Sequence, residues 1–130
     1  MQITGLELFP EGIEVARRRL PRVRLLQLDA RKMEFESDFD VVAALDTLEH
    51  IREDELVLER AASALRRGGG MLITVPQHPW LWGPADTYAH HERRYRAGEL
   101  AAKIERAGLE VVRTTSFVSL LMELICRRRP

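Results

Sequence analysis

The sequence has 130 residues, of which 45% are hydrophobic, and its 20 basic side chains balance 20 acidic ones. This composition is typical of one folded domain and excludes a disordered chain, while a net charge of zero gives no general attraction to nucleic acid. Cys126 is the single cysteine, so an internal disulfide and a multi-cysteine metal site are excluded. No apolar run approaches the ~20 residues of a membrane span and no signal peptide is recognised, so we expect a cytoplasmic protein.

The first half of the chain alternates short apolar runs with amphipathic segments. The pattern predicts strands over 3–8, 23–28 and 39–45. A helix is predicted from Pro10 to residue 20, because acidic residues follow the proline and arginines crowd the last turn, as the helix dipole favours. The run 39–45 is almost wholly apolar and too short for an ordinary helix, which predicts a strand buried on both faces of a parallel sheet.

The second half continues this alternation around one irregular segment. Residues 77–96 show no period of two or 3.6 and contain both tryptophans, both tyrosines and three of the four histidines, a content more typical of a functional loop than of a connector. The run Gly68-Gly69-Gly70 is predicted to end a helix, because glycine accepts positive φ. The remaining predicted elements are helices over 53–67, 97–107 and 116–130 and strands over 71–75 and 109–115.

The alternation of strands and helices predicts an α/β fold: a single domain over 1–130, with a mostly parallel sheet, helices on both faces and right-handed crossovers. Ligands of such sheets bind beyond the carboxyl ends of the strands. The first candidates for chemistry are therefore the polar residues that follow strands: Glu7, Asp29, Asp46, Glu49 and His50. The alternative is that these residues are solvated charges, turn formers and helix caps.

Four stretches carry a resemblance to a known family: Gly5-Leu6-Glu7-Leu8, Leu28-Asp29-Ala30, the run from Phe39 to Ile51, and the run from Leu65 to Pro76. Their order and spacing resemble the class I S-adenosylmethionine-dependent methyltransferases of the type 11/12-like group. The last stretch resembles that family's L-x-P-G-G turn and fifth strand, with Arg67 where a proline often lies. The resemblance implies a Rossmann-like fold and methyl transfer from S-adenosyl-L-methionine to a small-molecule acceptor.

The resemblance also implies which residues bind the methyl donor. The acidic residue at the end of the family's second strand, here Glu7, accepts hydrogen bonds from the ribose hydroxyls, much as in dinucleotide-binding folds. Asp29 and its neighbour face the adenine. The complete set implied for donor binding is Glu7, Leu8, Asp29, Ala30, Leu45, Asp46 and His50.

Two parts of the family's pattern are missing from these 130 residues. No G-x-G-x-G motif occurs, so the family's first strand and glycine-rich cofactor loop are expected before Met1, and its last strand after the chain's end. The sheet should then be incomplete at both termini, with a gap between the strands 3–8 and 41–45. We expect the chain alone to bind the donor poorly and to aggregate or form homo-oligomers through open strand edges. Direct pairing of the two strands is the alternative.

The segment 77–96 follows the fifth strand and is expected to form the substrate side. Its run from His90 to Tyr95 resembles an H-x-R-R-Y stretch of one group of bacterial methyltransferases. We take His91, Arg94 and Tyr95 as catalytic candidates, since histidine is a base near neutral pH and arginine binds carboxylate or phosphate.

The alternative gives this run a structural role, in which the arginines pair with Asp86 and Glu92 while Tyr95 and Trp80 pack as a lid. Metal binding is not predicted. Adjacent histidines rarely bind one ion together, and no familiar ligand spacing occurs among His50, His78, His90 and His91.

Two other classes of function remain open from the sequence. One is a non-catalytic Rossmann-like binding module without the glycine-rich loop, and the other is a different enzyme of similar fold, such as an NAD-dependent one. The basic residues are scattered at helix ends and offset by acids, so we expect no nucleic-acid partner. The arginines that end segment 116–130 leave open a peripheral contact with an anionic membrane surface, although an ordinary packed helix is the simpler expectation.

Overall fold

The computed structural model describes residues 2–116. The strands of this part are β1 (Thr4–Glu7), β2 (Arg24–Gln27), β3 (Phe39–Leu45) and β4 (Leu65–Thr74). The helices are α1 (Pro10–Arg19), α2 (Asp54–Ala64), α3 (Pro84–Tyr88) and α4 (Glu99–Arg106). Short 3-10 turns lie at Ala30–Lys32, Leu48–His50 and Pro79–Leu81. None of the helices among residues 2–116 is long and apolar enough to cross a membrane.

The four strands form two parallel pairs. β1 pairs with β2, and β3 pairs with β4 from Val41 opposite Gly70 to Leu45 opposite Thr74. α1 connects the first pair and α2 connects the second, because parallel neighbours need a crossover between them. The predicted α/β class is therefore confirmed, and β3 has the predicted boundaries.

A cavity of about 1140 Å³ lies between the two strand pairs and is lined by residues of both β1 and β3. These two strands belong to separate sheets within residues 2–116, so the alternative of direct pairing is wrong. In the described part of the chain, β3 has a neighbouring strand on one side alone, and Val41 and Leu45 are 65% and 54% exposed. The prediction that β3 is buried on both faces is wrong because no described element covers these side chains. Self-association through the open edges stays a prediction.

The core lies between α2 and the β3–β4 pair. Its most deeply buried side chains include Leu48, Leu58 and Ala61, with Val57 beside them. Residues 57, 58 and 61 share one face of α2 because an α-helix repeats every 3.6 residues. Tyr95 from the irregular segment joins this core, so that segment is packed against α2.

A buried carboxylate at the start of α2 joins three parts of the chain. Asp54 Oδ2 accepts hydrogen bonds from the Tyr95 hydroxyl, at 2.7 Å, and from the Lys103 ammonium of α4. A guanidinium nitrogen of Arg93 lies 3.2 Å from the same oxygen. Burial opposes ionisation of Asp54, but the hydrogen bonds from Lys103 and Tyr95 outweigh it and lower its pKa. This negative charge therefore attaches α4 and the irregular segment to α2.

α2 ends at Ala64, three residues before its predicted end. Leu65 is buried and pairs with Phe39 as the first residue of β4. A tertiary contact thus ends the helix where the local sequence would continue it. The predicted helix end at the glycines is wrong, and β4 begins well before the strand predicted from residue 71.

The glycine run instead forms an irregular part of β4. Residues 66–69 bulge out of the ladder with β3. A Cβ built on Gly69 would lie 2.9 Å from the carbonyl oxygens of Arg66 and Asp40, whereas a Cβ on Gly70 meets nothing within 4 Å. Glycine is therefore required at position 69 for the backbone to pass this close to its neighbours.

The chain after α4 differs from the prediction. Gly108 follows the helix with a φ of 84°, which fits its predicted role at the helix end. Residues 109–116 contain no strand and Val112 is 92% exposed. The predicted strand over 109–115 is wrong because this run pairs with no strand in the described part of the chain. The helix predicted over 116–130 lies, apart from Ser116, outside the described residues.

We predict that Gly69→Ala destabilises the protein and that Gly70→Ala does not. The methyl group at position 69 has to displace two backbone carbonyls, and overpacking of this kind costs about 1–3 kcal/mol. The methyl group at position 70 enters open space. Urea denaturation gives the free energy of unfolding of both variants, and equal values would contradict this account of the bulge.

A second prediction concerns Asp54. Asp54→Asn leaves the Lys103 ammonium buried without its anion, so we expect a loss of about 3 kcal/mol in the free energy of unfolding at neutral pH. Because the folded-state pKa is lowered, the stabilisation is complete above pH ~4 and is lost as the pH falls through the folded-state pKa. The two proteins should therefore converge in stability in acid. Glu59→Gln, on an exposed position of α2, is the matched control, and a constant difference at all pH values would contradict the prediction.

Candidate functional site

The cavity collects the polar residues that lie at the carboxyl ends of three strands. Glu7 ends β1, Asp29 follows β2, and Asp46 and His50 follow β3, and all four line the cavity. Parallel strands bring their carboxyl ends to one edge, where α/β proteins bind ligands. Residues that are far apart in the sequence therefore converge here.

The carboxylate of Glu7 is held by the turn that follows β1. Its Oε1 accepts a hydrogen bond from the Phe9 amide at 2.9 Å. A Cβ at Gly12 would lie 2.7 Å from the carboxyl carbon, so the side chain passes directly over the first turn of α1. The position of the carboxylate at the cavity wall is thus fixed by local contacts.

Asp29 is ionised and engaged by one arginine. Its carboxylate accepts hydrogen bonds from the Arg31 guanidinium, at 2.7 Å for the shortest, and from the Arg31 amide at 2.9 Å. These side-chain and backbone hydrogen bonds lower the pKa of Asp29 to about 2. Asp29 therefore caps the 3-10 turn that follows β2, as the turn-forming alternative expected, and it presents a charged group to the cavity.

Asp46 lies at a strained turn between β3 and the next 3-10 turn. Its φ is 47°, a left-handed conformation that is uncommon outside glycine. The Asp46 amide donates to the Thr74 carbonyl and hydroxyl, and the Thr74 hydroxyl donates to Asp46 Oδ1 at 2.9 Å. The end of β4 thereby fixes the direction in which the chain leaves β3.

The 3-10 turn Leu48–His50 sends consecutive side chains to different environments. Leu48 enters the core, Glu49 is buried beside it, and His50 lines the cavity. Glu49 Oε2 is buried and has no hydrogen-bond partner among residues 2–116. Burial raises the pKa of Glu49, because a carboxylate loses hydration when it leaves water.

The irregular segment meets this turn through a backbone hydrogen bond. The Glu92 amide donates to the Glu49 carbonyl at 2.7 Å, and the preceding residue, His91, packs its ring edge-on to His50 with centroids 4.7 Å apart. Glu49, His50 and His91 each offer a ligand atom, and these atoms lie within 4.8 Å of one another. The fold thus assembles a carboxylate and two imidazoles from positions some 40 residues apart.

Asp86, the third residue of α3, orients the His91 ring through its Nδ1 atom. Its buried carboxylate lies 3.0 Å from His91 Nδ1 and accepts hydrogen bonds from Arg94 Nε at 2.7 Å and from the Gly83 amide at 2.8 Å. Burial opposes ionisation of Asp86, but the hydrogen bonds from Arg94 and Gly83 outweigh it and lower its pKa to about 2. A permanent negative charge therefore faces His91.

Comparison with known proteins identifies the family. A model described as "Methyltransferase domain" matches residues 1–73, more than half of the chain. The chain belongs to the class I S-adenosylmethionine-dependent methyltransferase family.

Named members of this family match most of the chain. It is 28% identical to the ubiquinone biosynthesis O-methyltransferase of Idiomarina loihiensis, over 84% of this chain and 53% of that protein. It is 30% identical to the trans-aconitate 2-methyltransferase of Methylobacterium nodulans, over 88% of this chain and 43% of that protein. The chain thus spans about half the length of the curated relatives it matches.

Solved structures of the family share the fold. One is the 1,6-didemethyltoxoflavin-N1-methyltransferase of Burkholderia thailandensis with bound 1,6-didemethyltoxoflavin and S-adenosylhomocysteine. It is 27% identical, with a TM-score of 0.64 over 88% of this chain and 53% of that chain. The predicted Rossmann-like methyltransferase fold is therefore confirmed.

Within this methyltransferase domain, the donor-binding residues implied by the sequence lie largely together. Six of the seven line the cavity: Glu7, Leu8, Asp29, Ala30, Asp46 and His50. The seventh, Leu45, is not among the residues that line it and is half exposed.

The catalytic candidates divide between the site and the core. His91 contacts His50, which lines the cavity, but neither His91 nor Arg94 is among the lining residues. Arg94 instead binds Asp86 and the Gln77 carbonyl. Tyr95 is 1% exposed with its hydroxyl bound to Asp54, and burial followed by this hydrogen bond raises its pKa. Tyr95 is therefore a core residue that faces away from solvent.

The alternative that gives the run from His90 to Tyr95 a structural role is confirmed in part. Arg94 pairs with Asp86, as that alternative expected, but Glu92 pairs with Arg52 instead of a neighbouring arginine. The prediction that Tyr95 and Trp80 pack together as a lid is wrong, because Tyr95 lies in the core and Trp80 is 67% exposed.

The donor-binding and catalytic sets predicted from the sequence include neither Glu49 nor Asp86. Glu49 was a candidate only as a polar residue after a strand, and Asp86 only as a partner for arginine. The sequence signal for Glu49 was the Glu-His pair a few residues after β3. In the 3-10 turn Leu48–His50, Glu49 is buried and His50 lines the cavity. No local pattern shows that Asp86 lies behind His91.

Proposed function

We propose that this protein transfers a methyl group from S-adenosylmethionine to an oxygen atom of a small molecule. The observation that carries the proposal is the convergence of Glu7, Asp29, Asp46 and His50 on one cavity in a chain of the methyltransferase family. An oxygen acceptor is supported by the relative named as an O-methyltransferase. The cavity of about 1140 Å³ is large enough for a drug-sized ligand.

The donor is proposed to lie along the carboxyl ends of β1, β2 and β3. Glu7 accepts hydrogen bonds from the ribose hydroxyls, since its carboxylate is fixed at the cavity wall by the Phe9 amide, with Leu8 beside it. Asp29 faces the adenine with Ala30, and its ionised carboxylate is able to accept a hydrogen bond from the adenine amino group.

Asp46 and His50 are proposed to lie near the reacting methyl group. Methyl transfer requires the acceptor oxygen, the methyl carbon and the donor sulfur to be in line. The new O–C bond forms as the C–S bond breaks, the sulfonium becomes a neutral thioether, and the acceptor hydroxyl loses its proton. The chain's main contribution is therefore to align the two substrates and to assist the loss of this proton.

The His50–His91 pair is proposed to provide this assistance. Asp86 occupies Nδ1 of His91, so that Nδ1 carries the proton in the neutral ring and Nε2 is the free position. Arg94 binds Asp86 and the Gln77 carbonyl, and we assign it a positioning role: it holds the group that orients His91.

The first test of this function is donor binding. Glu7→Gln keeps the side chain's size and its bond to the Phe9 amide but removes the charge. We expect at least tenfold weaker binding of S-adenosylhomocysteine by titration calorimetry, as for a lost charged hydrogen bond of about 1.5–3 kcal/mol. Glu11→Gln, in the first turn of α1 and outside the cavity lining, is the control. Unchanged affinity of Glu7→Gln would remove Glu7 from the site.

The second test is transfer of a labelled methyl group to a panel of small phenols and carboxylic acids. His91→Ala should lower kcat by about 100-fold or more while KM for the donor changes little, because assistance to proton loss acts in the transition state. His78→Asn removes a histidine that does not line the cavity, and asparagine tolerates its φ of 63°. Equal rates for His91→Ala and His78→Asn would contradict the role of His91.

A further inference from the structure

The buried carboxylate of Glu49 lacks a partner that its position requires. Glu49 is 1% exposed, and Oε2 accepts no hydrogen bond from any residue between 2 and 116. Leaving a buried polar atom unpaired costs about 1–3 kcal/mol, and more for a charged group. Buried charges in proteins are usually paired with an opposite charge or bound to a metal.

The titratable groups that act on the Glu49 carboxylate are the imidazoles of His50 and His91 and the carboxylate of Asp46. His50 Nε2 lies 4.0 Å from Glu49 Oε1, and one nitrogen of His91 completes a group of three ligand atoms within 4.8 Å of one another. Ligands of a metal at about 2.0–2.2 Å lie about 3–4 Å apart. Small side-chain rotations are therefore enough to bring the three atoms onto one ion.

The surroundings of His91 have the form found around metal-bound histidines. Such histidines almost always donate their second ring nitrogen to a carboxylate or carbonyl, which fixes the ring and raises its basicity. Asp86 takes this position at 3.0 Å from His91 Nδ1 and is itself held by Arg94 and the Gly83 amide. The Glu92 amide, bonded to the Glu49 carbonyl, fixes the distance between the two parts of the site.

We propose that Glu49, His50 and His91 bind one divalent first-row transition-metal ion beside the cavity. Two imidazoles and one carboxylate suit ions such as Zn²⁺, Co²⁺, Mn²⁺ or Fe²⁺ and leave further coordination positions open. Because His50 lines the cavity, the ion would lie at the wall near which the reacting methyl group is proposed to lie.

The ion deepens the proposed function by specifying how the histidine pair assists proton loss. A bound cation acts as a Lewis acid and lowers the pKa of an oxygen that it coordinates, so an acceptor hydroxyl would lose its proton to water more readily. This role rests on the proposed methyl transfer, whereas binding of the ion rests only on the geometry of the three side chains. The preferred acceptor class would then be a molecule with a hydroxyl group and a second oxygen that can reach the same ion.

The test is titration of the chelator-treated 130-residue chain with Co²⁺, followed by the ligand-field absorption bands of the bound ion. We expect one Co²⁺ per chain and an increase in the thermal unfolding temperature with Co²⁺ concentration, because a ligand of the folded state stabilises it. Glu49→Gln and His91→Ala should bind at least tenfold more weakly. His90→Asn is the matched control, since it removes the adjacent imidazole, which lies outside the cluster, at a φ of 56° that asparagine tolerates.

The outcomes separate this proposal from the proposed function. Three results would overturn the metal site, whether or not the chain transfers methyl groups. They are the absence of stoichiometric Co²⁺ binding, an affinity of Glu49→Gln for Co²⁺ equal to that of the unaltered chain, and a loss of Co²⁺ affinity in His90→Asn equal to that in His91→Ala. Binding of Co²⁺, together with an affinity for S-adenosylhomocysteine that Glu7→Gln leaves unchanged, would support the metal site and contradict the donor site of the proposed function. If His91→Ala fails to fold by circular dichroism, Asp86→Asn replaces it, with an expected 10–100-fold loss of affinity.

Discussion

The buried carboxylate of Asp54 is the interaction on which the arrangement of the second half of the chain depends. It lies at the first residue of α2, whose apolar face forms the core, and it receives hydrogen bonds from Tyr95 and Lys103. These partners come from the irregular segment and from α4. A hydrophobic core alone would hold these elements without fixing their register, because the hydrophobic effect has no direction. The charged hydrogen bonds supply that direction.

The same segment is then fixed to the turn after β3 at two further points. The Glu92 amide binds the Glu49 carbonyl, and Asp86 binds both His91 and Arg94. Two buried carboxylates, Asp54 and Asp86, thus lie at either end of the run from His91 to Tyr95. Between them the run has little freedom, so His91 is held against His50. A site built on such a run is rigid even though the segment has little regular secondary structure.

The first half of the chain supplies the other wall of the cavity by simpler means. Glu7 and Asp29 are each positioned by contacts within a few residues, to the Phe9 amide and to Arg31. The parallel pairing of β1 with β2 then brings both to one edge. The wall of the cavity with Glu7 and Asp29 is therefore organised by strand topology and local turns, whereas the wall near His50 is organised by long-range polar contacts.

The sequence by itself determined the order of most elements, the extent of β3 from Phe39 to Leu45, the family and the six predicted donor-binding residues that line the cavity. These follow from local signals: hydrophobic period, proline and glycine positions, and short motifs at strand ends. Only the tertiary structure decided that Leu65 ends α2 by pairing with Phe39, that the run 109–115 is no strand, and that His91 rather than His90 meets His50. The first and third depend on a partner more than 20 residues away, and the second depends on the absence of a strand partner in the described part of the chain. Contacts over such distances produce no periodic pattern in the local sequence, so the sequence alone does not predict them.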